Sequence, residues 1–133
     1  MIKFQTRADV LNFVKVFGYA ALQHAMDKMT ISPDQTMLIR MVKATAYKSD
    51  ITLEEINDGN TVREVIVSFE SQKIGGFNHT TMLSEITVTV YGQGGGVFTV
   101  KEAMENGTLN KEKLKFILKI INERNEARDI LES

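Results

Sequence analysis

The apolar positions near the start of the chain recur at helical spacing. Val10, Phe13, Val14, Phe17 and Ala21 make one stripe, widened by Leu11, Leu22, Ala25, Met26 and Met29. Thr6, with Asp9 three residues on, supplies an N-terminal cap. The pattern predicts one helix from about Arg7 to Met29. A second helix start is written in Ser32 as cap, Pro33 at the first helical position and Gln35 closing a capping box. This helix is expected to run to about Lys48, with Met37, Leu38, Met41 and Val42 inward and Arg40 and Lys43 outward. The short connection between the two favours a helical hairpin.

The middle of the chain changes period. Residues 51–56 alternate weakly and fit a strand or a helical turn. Asn57-Asp58-Gly59-Asn60 is a hairpin turn, since Asp-Gly accepts the positive φ angles of a type I′ turn. From Val62 to Ser71 the side chains alternate, with Val65, Val67 and Phe69 on one face and Glu64, Ile66 and Ser68 on the other. A third strand is expected from about Thr81 to Tyr91, with Ile86, Val88 and Val90 inward, and a short fourth over Val97–Val100. Thr99 and Glu102 cap a short helix ending at Asn106-Gly107. A longer helix follows from about Asn110 to Leu131, apolar through Leu114, Ile117, Leu118, Ile120 and Ile121. Beyond Asn122 the apolar face fades, so the last turns are expected to project or to meet a neighbouring subunit through Ile130 and Leu131.

These elements predict one α+β domain over residues 1–133: an N-terminal helical hairpin, an antiparallel sheet of three to four strands, and a C-terminal helix on one sheet face. Val65, Val67, Phe69, Ile86, Val88 and Val90 require burial under helices. The opposite face, with Glu64, Ser68, Thr87 and Thr89, is polar enough to meet water.

Composition narrows the chemistry. The chain has no cysteine, which excludes disulfides, thiolate zinc sites and cysteine nucleophiles. Two histidines far apart in sequence do not make a transition-metal site. The 16 basic and 17 acidic residues nearly cancel, so no general attraction to nucleic acid or to an anionic membrane follows. The opening residues do not read as a signal peptide, and the apolar stretch Val10–Ala21 is short and carries Lys15. The expectation is a cytoplasmic protein with no membrane span.

Four of the nine glycines fall in Gly92-Gln93-Gly94-Gly95-Gly96, directly after the third strand. Such a run marks a tight turn or a backbone approached closely by a partner. Val97 stands where a dinucleotide fingerprint needs its third glycine, and there is no Gly-Lys-Ser/Thr. The loop is either a bulged hairpin connection or a ligand-contacting segment. As a ligand site it would comprise Gly92, Gln93, Gly94, Gly95 and Gly96, with Arg63, Lys73, Asn78, His79 and Lys101 nearby. The second glycine pair, Gly75-Gly76, lies at the other end of the third strand, about 30 Å away if the strand is ten residues long. A site using both loops would therefore lie across an oligomer interface.

Other motifs point less far. His79-Thr80-Thr81 supplies one His-x-Thr element where phosphate chemistry needs two converging histidines, and His24 has no such threonine. Asp50, Glu54, Glu55, Asp58 and Glu64 lack the spacing of a calcium loop and read as a solvated hairpin. Ala103 and Gly107 have the spacing of a helix-turn-helix, but Lys113 falls where its second helix buries an apolar residue. Lys111, Lys113, Lys115 and Lys119 could touch phosphates, but Glu102, Glu105, Glu112, Glu123 and Glu126 interleave with them, which cancels the field that phosphate binding exploits. Met26, Met29, Met37 and Met41 fit either core packing or an adaptable binding groove.

The function expected is that of a small non-catalytic binding protein: an accessory, inhibitory or adaptor module of a bacterial or phage kind. It would act through the glycine-rich loops and the polar sheet face, as a homo-oligomer, on a protein partner or an anionic small molecule. The first alternative is a sponge or sensor holding a nucleotide-like anion at an oligomer interface. The second is a helix-turn-helix-like DNA-binding protein. No cofactor and no metal are expected.

Overall fold

The computed structural model describes residues 2–57, 61–69, 83–92 and 94–132. Among them the elements run α1 (Arg7–Phe17), α2 (Tyr19–Asp27), α3 (Pro33–Ala46), β1 (Asp50–Asn57), β2 (Thr61–Phe69), a 3-10 turn (Leu83–Glu85), β3 (Ile86–Tyr91), β4 (Gly96–Thr99), α4 (Val100–Glu105) and α5 (Lys111–Glu132). The protein is α+β, with one antiparallel sheet in the order β1-β2-β3-β4. Each strand lies beside its neighbour in sequence, as hairpin connections require. The chain divides into two compact units. Among the described residues, one holds everything up to Lys48 and α5 from Glu123 on; the other holds the sheet, α4 and α5 as far as Asn122.

In the first unit the predicted cap forms. The Asp9 amide donates to Thr6 Oγ1 at 3.3 Å, and Asp9 Oδ2 accepts from the amides of Thr6 and Gln5 at 3.1 and 2.9 Å. The single long helix does not form. It breaks at Gly18, whose φ of 87° and ψ of 159° are open to glycine and costly for other residues. The Gly18 amide closes α1 on the Val14 carbonyl at 2.8 Å. The break lets Val10 and Val14 on α1 and Leu22 and Ala25 on α2 all enter the core, while Phe17 stays 63% exposed.

The capping box predicted for α3 is also absent. Pro33 holds the first helical position, but Ser32 makes no side-chain cap. Gln35 Oε1 instead accepts from the Phe4 amide and ties the segment before α1 to α3. The inward face of α3 is Ile39, Val42 and Ala46; Met37 and Met41, expected inside, point to solvent. Lys43 is outward as expected, donating to Tyr19 Oη at 3.2 Å with its Nζ 5.2 Å from that ring's centroid.

The end of α5 does not project. Ala127 and Leu131 are buried in the core made by α1, α2 and α3. The polar residues that hid this face are engaged. Arg124 donates to the Lys48 carbonyl at 3.2 Å, just beyond the end of α3, and Tyr47 Oη donates to Glu132 Oε1 at 3.0 Å. Arg128 donates to Oδ1 of the buried Asn125.

In the second unit the alternation holds. Val65, Val67, Phe69, Ile86, Val88 and Val90 are buried together with Val100, Ala103, Leu109, Ile117 and Ile121. Residues 51–56 form strand, and β1 pairs with β2 from Asp50↔Ser68 to Asn57↔Thr61. The rest of the predicted turn, 58–60, lies outside the described residues. The third strand starts at Ile86 rather than near Thr81, because Leu83–Glu85 coil into the 3-10 turn. The capping box of α4 forms between Thr99 and Glu102, at 3.2 and 3.3 Å, and Asn110 Oδ1 caps α5 by accepting from the Lys113 amide at 2.8 Å. Among the described residues no helix is long and apolar enough to cross a membrane.

Candidate functional site

The glycine run joins β3 to β4, and each described glycine in it has a local reason. The Gly95 amide donates to the Gly92 carbonyl at 3.0 Å, closing a four-residue turn. Gly92 and Gly94 have φ of 114° and 75°, values that side-chain-bearing residues avoid. Gly95 has no room for a side chain, since a Cβ there would stand 2.4 Å from the Val90 carbonyl oxygen. A Cβ on Gly96 would meet Phe98 Cζ at 3.3 Å, so its absence seats the Phe98 ring against the core. Turn geometry and ring packing thus account for the four glycines by themselves.

Of the residues grouped with this turn in the sequence, Arg63 and Lys101 are among the described ones. Arg63 stays close: it stands one position beyond the last β2–β3 pair, Glu64↔Tyr91, at the register position facing Gly92. Its Nε is buried and has no hydrogen-bond partner among the described residues. Lys101 lies on α4, past the Thr99 end of β4, and lines a groove beside Met104 and Leu114. Gln93, Lys73, Asn78 and His79 lie outside the described residues. His24 is exposed on α2.

The outer face of the sheet is the larger surface beside the turn. Thr52, Ile66, Thr89 and Val97 line up across all four strands, and Asp50, Ser68, Thr87 and Thr99 form a second such row. Val97 is 68% exposed and Tyr91 55%, with Glu64 exposed opposite Tyr91. The sheet therefore presents a mostly hydroxyl-bearing surface with Ile66, Val97 and Tyr91 as its apolar points. The sequence marked this face as polar, but Val97 as an exposed apolar side chain was missed. The signal was its alternation with Phe98 on the last strand.

Ala103 is buried and Gly107 has a φ of 82° between α4 and α5. Lys111, Lys115 and Lys119 are exposed, as are Glu102, Glu105, Glu112, Glu123 and Glu126, so the signs alternate on the surface as well as in the sequence. Among the described residues no group of three or more His, Asp or Glu side chains is placed to hold a metal ion. The shifted titrations lie elsewhere. Hydrogen bonds from the Gln5 and Thr6 amides hold the Asp9 carboxyl below its ordinary value, and a hydrogen bond from the Ser32 side chain does the same for Asp34. Burial, then the hydrogen bond to Glu132, pushes the Tyr47 hydroxyl up.

No protein-family model matches the chain, and no curated protein or solved structure is significantly similar to it.

Proposed function

We propose that this is a non-catalytic binding protein that docks a protein partner on the outer face of its sheet, with the β3–β4 turn at one end of the contact. The observation that carries this reading is Val97, 68% exposed on a strand whose other side faces the core. Rows of threonine and serine around Ile66, Val97 and Tyr91 give the mixture that protein interfaces use: a few apolar anchors ringed by hydrogen-bonding groups. The turn is closed by the hydrogen bond from the Gly95 amide to the Gly92 carbonyl. In a test, wild-type protein and the Val97→Glu and Tyr91→Glu variants are used to capture partners from the source cells. One protein retained by the wild type and lost by both variants, with the purified pair weakened about tenfold or more, supports the reading. Capture that is indifferent to both substitutions overturns it.

A second reading has one observation in its favour. The buried Nε of Arg63, opposite Gly92 and without a hydrogen-bond partner among the described residues, suits an anionic ligand such as a nucleotide at this end of the sheet. Lys101 has no part in that version, being at the other end of β4. Thermal-shift measurements against a nucleotide panel test it: a stabilisation lost in Arg63→Met supports it, and no shift with any nucleotide removes it.

A further inference from the structure

The described methionines are Met26, Met29, Met37, Met41 and Met104, and the fold sorts them into two kinds. Met26 is partly buried against the core that α1, α2 and α3 share, and Met104 against the core under the sheet. Met29, Met37 and Met41 are 68, 66 and 58% exposed. On α3 the sorting follows chemistry. Ile39, Val42 and Ala46 are buried and Leu38 is partly buried, so the larger hydrocarbon side chains take the inner side. Both thioethers of that helix, Met37 and Met41, stand one turn apart on the outer side. Met29 lies past the end of α2, where its amide donates to the Met26 carbonyl at 3.1 Å and its side chain meets solvent.

The chain has no cysteine and no tryptophan, so its thioethers are the side chains that a mild two-electron oxidant meets first. We infer that Met29, Met37 and Met41 are sites of reversible methionine oxidation, each taking one oxygen from hydrogen peroxide while the fold stays intact. A sulfur lone pair attacks one peroxide oxygen, the O–O bond breaks and an S–O bond forms. The departing hydroxide takes the proton from the oxygen left on sulfur and becomes water. Sulfur gives up two electrons and the peroxide receives them. The sulfoxide is polar. At these three positions it remains in water, so no core contact is lost. At Met26 or Met104 it would set an S–O dipole against apolar side chains, which is costly. Oxidation therefore turns the outer side of α3 from apolar to polar without touching Ile39, Val42 or Ala46. The chemistry needs no partner and no part of the outer sheet face.

The test is exposure of the full chain to about 10 mM hydrogen peroxide, followed residue by residue by peptide mass mapping. Met29, Met37 and Met41 are expected to oxidise about tenfold or more faster than Met26 and Met104. Circular dichroism is expected to be unchanged when all three are converted. The two methionine sulfoxide reductases, one for each sulfoxide epimer, are expected together to return them to methionine. In denaturing guanidinium chloride the five rates are expected to converge, because burial alone separates them. Oxidation of Met26 or Met104 as fast as the other three in the folded protein overturns the inference. So does loss of helical signal on conversion of the three, sulfoxides that the reductases leave in place, or rates that stay apart in the denaturant.

Discussion

A Cβ built on Gly95 would stand 2.4 Å from the carbonyl oxygen of Val90, and 2.8 Å from that of Gly92. Both obstacles are backbone, so no side chain can swing aside to admit even an alanine. Gly95→Ala is therefore expected to destabilise the protein by about 1–3 kcal/mol, the range of overpacked sites. Gly94→Ala meets no atom within 4 Å but must hold a φ of 75°, which costs about 1–2 kcal/mol. Urea denaturation of ligand-free protein measures both. A neutral Gly95→Ala would mean that the turn is not built as described.

Met29 is the one described non-glycine residue with a positive φ, 57°, just past the end of α2. Its side chain is 68% exposed and contributes little packing. Helices commonly end here with glycine, which meets no steric penalty in this conformation. Met29→Gly is expected to stabilise by about 0.5–1 kcal/mol, the relief of strain exceeding the added freedom of the unfolded chain. Thermal denaturation checks it, and a loss of stability refutes the left-handed assignment.

Leu131 decides whether the end of α5 is part of a core. It is 8% exposed among residues of the first unit, whereas Phe116 on the same helix is 53% exposed. Leu131→Ala should cost about 2–3 kcal/mol, while Phe116→Ala should cost less than about 1 kcal/mol. Equal and small effects of the two would return the last turns of α5 to the projecting role that the sequence suggested.

Asp9 sets part of the acid limb. Its carboxyl, held below the ordinary value of 3.8 by the Gln5 and Thr6 amides, favours the charged form in the folded state. The stabilisation is present above the unfolded value and is lost as the pH falls through the lower folded value. Asp9→Asn should remove that portion of the pH dependence and leave the rest. A carboxyl-detected NMR titration should show Asp9 losing its charge below the pH at which a model peptide does. A midpoint at or above 3.8 contradicts the cap geometry.

The legible parts of the fold were those fixed by nearest neighbours in sequence. Thr6 with Asp9 and Thr99 with Glu102 are local capping boxes, and both form as read. The two-residue alternation of β2 and β3 named the buried face of the sheet, because successive side chains on a strand must point to opposite sides. At the turn, the glycines advertised unusual backbone. The candidate residues Gln93, Lys73, Asn78 and His79 fall outside the described residues, and Lys101, close to the loop in sequence, lies on α4 past the Thr99 end of β4.

The amino-acid sequence by itself thus determined the fold class, the sheet's inner face and the capping boxes of α1 and α4, since each rests on interactions a few residues apart. Tertiary structure alone decided where the first helix breaks, which side of α3 is inside, where the end of α5 goes, and that Gln35 serves Phe4 rather than its own helix. Those outcomes depend on competing surfaces. Met37 and Met41 are as apolar as many core residues, and only the shape of the neighbouring helices gives the interior to Ile39, Val42 and Ala46 instead. A polar run such as Glu123–Asp129 conceals a buried edge in the same way, because one alanine and one asparagine are enough to fill it.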